Sequence, residues 1–237
     1  MGLSSRREAE KWIQEGRIAV NGQVIDQLGT QIDPEKDELS IDGRPIQRKE
    51  PPRVYWMLHK PDQVLTSMRA EGDKSTIYDL PSLKELSFRV SSVGRLDYRT
   101  EGLLLLSNDG EFVHRMTHPS YKVPRHYYAL ITGKLSEQEL QTIKKGVPLE
   151  DGVTGKIDIH YAHGKKLGAS RGSWYIVTVY EGRNRLVRRI FEHFDHKVVR
   201  LIRYGMGPLR MPETLKPGEY LQLSSKDIKA LKSLVQL

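Results

Sequence analysis

Asp97 stands in the run VGRLDYRTEGLLLLSNDG, after a β-like stretch and just before four consecutive leucines, Leu103 to Leu106. A carboxylate on a loop between two buried strands is held by a rigid scaffold and can serve as a nucleophile or a base. Taken alone, an aspartate in such a loop is more often a turn former or a cap, so partners must decide. One set of partners lies in EGRNRLVRRIFEHF, residues 181–194. At helical spacing, Leu186, Val187, Ile190, Phe191 and Phe194 share one side, and Arg185, Arg188, Arg189 and Glu192 share the other. The expected arrangement is an apolar face that docks the helix and an arginine face presented outward, suited to an anionic partner. Tyr127, in Arg125-His126-Tyr127-Tyr128, opens a predicted strand, and Lys60-Pro61 closes another.

The charge is distributed to match. The 237 residues carry 38 Lys+Arg against 30 Asp+Glu, a net of +8. Residues 1–50 are net −2, whereas residues 51–237 are net +10, and residues 181–210 alone hold eight basic and three acidic side chains. A basic excess gathered in one region points to a polyanion, and nucleic acid is the first reading. There is no cysteine, which excludes disulfides, thiolate metal sites and cysteine nucleophiles and agrees with a cytoplasmic location. No apolar run approaches the roughly 20 residues that cross a bilayer. No phosphate-binding loop, dinucleotide fingerprint or Ser-His-Asp context is present, and His193 and His196 lack a supporting carboxylate pattern for a metal. No cofactor and no metal are expected.

The elements that must position these groups fall into two parts. SSRREAEKWIQEG, residues 4–16, predicts a helix capped by Ser4 or Ser5 and ended by Gly16. RIAVNGQVI predicts a hairpin turning at Asn21-Gly22, and DELSIDGRPI a second β piece turning at Asp42-Gly43. QRKEPPR reads as a linker. The expected division is a small module over 1–46, a linker over 47–52 and a larger domain over 53–237. In the larger part, strands are predicted over 54–59, 89–93, 103–106, 127–132, 174–180, 197–203 and 219–223, and helices over 111–117, 137–145, 184–193 and 225–234, with 108–110 as a turn and 162–173 as a loop. Strands that follow one another without an intervening helix predict an α+β fold with a mixed, largely antiparallel sheet rather than a doubly wound one.

Two resemblances sharpen this reading. SRREAEKWIQEGRIAVNG resembles the S4 RNA-binding domain, whose pattern runs SRR-x-A … I-x-x-G-x-V-x-V-N-G. The helix of the form LQKxLAxAG that usually opens such domains has no counterpart before Ser4, and the module is expected to lack it. GRLDYRTEGLLLLSNDG resembles the motif GRLDxxTxGLLLLTNDG of the B/E/F family of pseudouridine synthases that act on ribosomal small-subunit and large-subunit RNA. Ser107 is the one difference at its fixed positions. Arg125-His126-Tyr127 matches that family's K/R-x-Y motif, and EGRNRLVRR its EGRNRxVRR motif, with Leu186 where glutamine is common. Lys60-Pro61 matches K-P-x-G-x-x-S, with Gln63 in place of the glycine.

The resemblance implies an isomerase that converts uridine to pseudouridine in ribosomal RNA. Asp97 would be the catalytic carboxylate, Tyr127 would stack on the extruded base, and Arg188 would pair with Asp97. Tyr98, Glu101 and the LGT segment point to the B branch, which acts on large-subunit RNA. Small-subunit RNA, or a non-catalytic ribosome-assembly factor of the same fold, are the alternatives. Arg6, Arg7, Lys11, Arg17, Lys60, Arg95, Arg125, Arg183, Arg185 and Arg189 are the expected RNA contacts, and a monomer without membrane association is the default expectation.

Overall fold

The computed structural model describes residues 4, 6–33, 36–46, 51–86, 88–162 and 172–237. Ser5, most of the expected linker (47–50) and most of the expected loop (163–171) lie outside the described residues, as does the Arg6 side chain. The chain divides into two compact units, Met1–Pro52 and Arg53–Leu237.

The first unit holds α1 (Arg6–Gln14) and a four-stranded antiparallel sheet of β1 (Ile18–Val20), β2 (Gln23–Val24), β3 (Leu39–Ile41) and β4 (Arg44–Pro45), in the order β2-β1-β3-β4. Both hairpins turn where expected. Asn21 and Gly22 have φ of 51° and 81°, and Asp42 and Gly43 of 51° and 73°, the pair of left-handed residues that a two-residue turn needs to match strand twist. The Asn21 side chain also ties the hairpin to the acidic segment, donating to Asp37 Oδ1 and accepting from Glu38 N, each at 2.9 Å. Among the described residues of this unit no side chain is fully buried. Its cohesion rests on half-buried Trp12 and Ile13 and on the Arg17 guanidinium, which clasps Asp42 at 2.6 and 2.9 Å and lies over the Trp12 ring.

The second unit is a sandwich of helices on a mixed sheet. In chain order it contains β5 (Tyr55–Lys60), α2 (Pro81–Lys84), β6 (Ser91–Ser92), β7 (Thr100–Ser107), α3 (Gly110–Thr117), β8 (Arg125–Ile131), α4 (Glu137–Lys145), a short hairpin of β9 (Pro148–Leu149) and β10 (Gly152–Val153), and β11 (Ile157–Tyr161). There follow β12 (Ser173–Val179), α5 (Leu186–Glu192), β13 (Val198–Met206), β14 (Leu209–Arg210), β15 (Tyr220–Gln222) and α6 (Ser225–Leu234). The sheet order is β11-β12-β8-β13-β7-β5-β15, with β6 added to β7 and β14 to β13. Among the strands described for this sheet only β13 and β7 pair in parallel; the fold is α+β with a largely antiparallel sheet. The hairpin β9–β10 and strand β11, short and flanked by polar residues, were not among the predicted strands.

Strand β7 explains its leucine run. Leu104 and Leu106 enter a core with Leu58, Ile131, Val177, Ile190 and Phe191, whereas Leu103 and Leu105 enter a second core with Phe112, Met116, Leu231 and Val235. A strand covered on both faces reads as a continuous apolar run, not as an alternation. The SNDG segment is a helix start, not the simple turn expected: Asp109, 4 % exposed, caps α3 by accepting from Phe112 N at 3.2 Å and also accepts from Tyr55 Oη at 2.6 Å.

Gly102 interrupts β7 with φ of 105°, and a Cβ there would run into the Arg203 carbonyl of β13. The two strands approach at this point only because the side chain is absent. Gly102→Ala is expected to lower unfolding free energy by about 2–4 kcal/mol, read from the urea denaturation midpoint; a loss within about 0.5 kcal/mol would contradict the account.

Candidate active site

Asp97 lies on the 93–99 loop that leads from β6 into β7, and it is half-buried. Its own carbonyl accepts from Thr100 N at 3.0 Å. The residues around it are tied from three directions. Thr66 Oγ1 donates to Leu96 O at 3.0 Å. Arg188 Nη2, from α5, donates to Arg99 O at 2.6 Å. Lys60 Nζ, at the end of β5, donates to Thr100 O at 2.9 Å and Pro61 O at 2.8 Å, with a longer contact to Tyr98 O at 3.4 Å. The carbonyls on both sides of Asp97 are thus held by three separate elements, which fixes the carboxylate without touching it.

The loop opens on a cavity of about 410 Å³ lined by Asp97 and Tyr127 together with Arg95, Arg125, Arg183, Arg185 and Arg203. Tyr127, on β8, is 8 % exposed and stands opposite Val177 on β12 and Arg203 on β13. Asp97 and Tyr127, 30 positions apart in sequence, therefore face one space surrounded by five guanidinium groups.

Several expected roles change. Lys60 is 0 % exposed, so it cannot meet a phosphate; burial pushes its pKa down to about 8, against the attraction of Asp62, Glu101 and Asp97. An ammonium with three donors and three carbonyls around it is a loop anchor. Arg188 is 7 % exposed and not presented outward. It donates to Val198 O at 3.0 Å as well as to Arg99 O. Burial pulls its pKa below the ordinary guanidinium value, and the charge of Asp97 works in the opposite sense. Among the described residues no carboxylate lies within 4.0 Å of it, so the expected direct Asp97 pair is instead a field at longer range plus a shared loop. The helix period placed Arg188 opposite the apolar side of the helix but could not show that β13 and the Asp97 loop close over it.

Arg183 and Arg189 are also spoken for. Both meet Asp151, on the turn of the β9–β10 hairpin: Arg189 through 2.8 and 3.0 Å contacts, and Arg183 through its Nε at 3.1 Å and its Nη2. Arg183 also donates to the carbonyls of Gly152 and Val153. These hydrogen bonds, from Arg189 first and Arg183 second, hold the Asp151 carboxyl well below the usual carboxylate range. Arg185 begins α5 in a left-handed conformation, φ 49°, and pairs with Glu192 at 3.1 Å. Arg125 donates to Val123 O at 3.1 Å, and burial lowers its pKa. Arg95 is exposed at the cavity. In the first unit Arg7 and Lys11 are exposed, Lys11 within 3.5 Å of Glu15, and Arg17 is engaged by Asp42.

Sequence reasoning missed Asp151 and Arg203. The signal for Arg203 was present: an arginine in the middle of VVRLIRYGM, a strand whose neighbours are buried. Gln63 needs a different correction. Although it stands where the motif has glycine, Gln63 takes φ of 57° and its backbone N–H meets Asp62 Oδ1 at 2.9 Å, so the turn after Lys60-Pro61 keeps a left-handed residue.

The mixed sheet thus brings the Asp97 loop and the Tyr127 ring to one arginine-lined cavity. Residues 54–193 match the family model described as RNA pseudouridylate synthase, and residues 1–39 match the S4 domain. The chain belongs to the RNA pseudouridylate synthase family: it is an RNA pseudouridine synthase, an isomerase, with an S4 domain. It is 41 % identical over 239 residues to an uncharacterized RNA pseudouridine synthase of Aquifex aeolicus, spanning 100 % of this chain and 92 % of that protein. It is 35 % identical over 236 residues to ribosomal large subunit pseudouridine synthase B of Bacillus subtilis, spanning 98 % and 92 %. A crystal structure of a pseudouridylate synthase superposes with a TM-score of 0.66 at 29 % identity, covering 96 % of this chain and 94 % of that one.

The buried ammonium makes a pH-dependent prediction. Folded Lys60 gives up its proton near pH 8, whereas the unfolded lysine keeps it to about 10.5. Between those values the unfolded state binds the extra proton, so stability rises with pH, and below pH 8 the cost of burial is present in full. The difference in unfolding free energy between wild type and Lys60→Met, from urea titrations, is expected to move in favour of wild type from pH 8 to 10.5. A flat or opposite trend would contradict the buried, charged state at neutral pH.

Proposed function

We propose that this enzyme isomerises a specific uridine in large-subunit ribosomal RNA in the cytoplasm, with Asp97 as the catalytic carboxylate, Tyr127 as the ring that stacks on the base, and Arg188 as the group that positions the Asp97 loop. The observation that carries this reading is the joint placement of Asp97 and Tyr127 in one arginine-lined cavity, with the backbone on both sides of Asp97 anchored by Lys60, Thr66 and Arg188. The large-subunit assignment is supported by the Bacillus subtilis relative, which carries that name.

Binding begins with charge. The exposed basic rim at Arg95 and Arg185, with half-buried Arg125 behind it, attracts the phosphates next to the target, and the S4 unit adds contacts from Arg7 and Lys11. Arg183 and Arg189 join only if a phosphate displaces Asp151. The uridine must leave its stack to enter the cavity, at a cost of a few kcal/mol, and stacking on Tyr127 returns about 1–3 kcal/mol. Asp97 then bonds to C1′ or removes the C2′ proton, and the N1–C1′ bond breaks. The uracil turns, C5 bonds to C1′, the C5 proton leaves and N1 takes one up. Atoms and charge balance with no redox change, so the steps need no cofactor.

Asp97→Ala is expected to fold as the wild type, to bind ribosomal RNA within about tenfold, and to form no measurable pseudouridine, because a group that acts only in the chemical step leaves ground-state binding nearly intact. Pseudouridine mapping on the treated RNA checks this; turnover near wild type would remove Asp97 from the chemistry.

A further inference from the structure

Arg203 is a charged residue at the centre of the sheet. It is 2 % exposed, its Nε donates to Leu103 O at 2.7 Å, and its Nη2 is buried with no hydrogen-bond partner. Among the described residues no carboxylate lies within 4.0 Å of it. A guanidinium does not shed its proton in a protein, so this charge is kept out of water with donors unused, a costly state unless something else completes it. Its field also opposes the protonated forms of Arg125 and Lys60. The fold thus gathers Arg125 and Arg203 at one cavity, and of the two carboxylates that line it, Asp97 and Glu181, neither lies within 4.0 Å of Arg203.

The register says what Arg203 can reach. It stands directly opposite Tyr127 across the β13–β8 pair. Directly opposed residues put their side chains on the same face, with Cβ atoms about 4.5–5.5 Å apart. Both residues line the cavity. A pyrimidine stacked on the Tyr127 ring would bring one edge against the Arg203 guanidinium.

We propose that Arg203 is a further catalytic residue that donates a hydrogen bond to a carbonyl oxygen of the target uracil and holds the negative charge that the base acquires in the reaction. This rests on the chemistry under Proposed function and deepens it. When N1–C1′ breaks, the bonding pair stays on the base, whether Asp97 has bonded to C1′ or has taken the C2′ proton. The pair is shared among N1, O2 and O4. When C5 bonds to C1′, that pair is drawn into the new bond, the Asp97 carboxylate is released or C2′ regains its proton, the C5 proton leaves, and N1 is protonated. The anion exists only between those events. A fixed, desolvated donor aimed at such transient charge accelerates the step without tightening ground-state binding. A backbone phosphate is the poorer fit, because its charge is constant and a side chain 2 % exposed at the level of the Tyr127 ring faces the base, not the rim.

The test uses synthetic stem-loops that span the mapped target and carry uridine, 2-thiouridine or 4-thiouridine there, or a phosphorothioate on its 5′ side, in single-turnover reactions with the full chain and with Arg203→Lys. The wild type is expected to slow by about tenfold with one of the two thiouridines. Arg203→Lys is expected to slow about 100-fold on uridine, to bind RNA within about threefold, and to lose that thiouridine discrimination, a coupling that a merely structural role would not produce. An undiminished penalty, a rate near wild type, or coupling to the phosphorothioate instead would overturn the proposal. Should Arg203→Lys not fold, the wild type decides: equal rates on uridine and both thiouridines overturn it. A wild type that converts no uridine at all defeats the activity itself, a result distinguishable from each of these.

Discussion

The Asp97 loop of this enzyme is held by cations that bind its backbone. Lys60 reaches Thr100 O from β5, and Arg188 reaches Arg99 O from α5. Each is buried, and each loses hydration that only the carbonyls around it can replace. The loop therefore cannot move without exposing a desolvated charge, and the fold cannot pack without the loop in place. This constraint holds Asp97, whose carbonyl opens the turn closed by Thr100 N, at the edge of the cavity. It also leaves the Asp97 carboxylate itself free to face the cavity.

The sheet serves the same end. β7 is sealed on both faces by its leucines, so the chain emerging from the Asp97 loop enters a strand buried on both sides. β13 runs parallel to it and close, at Gly102, and carries Arg203 to the cavity while β8 carries Tyr127 alongside. Three strands thus meet under one pocket. The arginines around it divide by burial. Arg188 and Arg203 are buried and belong to the interior of the site, Arg95 and Arg185 form an exposed rim, and Arg183 and Arg189 are held by Asp151. Net basic charge alone would have counted all of them as one surface.

Much of this was legible in the chain. Two helices, Glu137–Lys145 and Ser225–Leu234, have the predicted bounds, because a capping serine precedes each and their apolar period is regular. Both hairpin turns of the first unit follow from Asn-Gly and Asp-Gly. The pairing of Asp97 with Tyr127 in one site was legible only through motif resemblance, since no local pattern links residues 30 positions apart. Three things were not legible. The burial of Arg188, on the polar face of α5, could not be known without β13 beside it. The burial of Lys60 depends on the loop that folds over it. The hairpin that carries Asp151 is too short for periodicity to mark, so the capture of Arg183 and Arg189 had no sequence signal.

The account centres on a base that leaves its sugar and returns through C5. Large-subunit ribosomal RNA prepared with tritium at C5 of uridine and incubated with the purified chain, without metal or nucleotide, tests this most directly. One tritium released to water per RNA molecule, with small-subunit RNA releasing none, is the predicted result. No release from large-subunit RNA, or release only from small-subunit RNA, would contradict it.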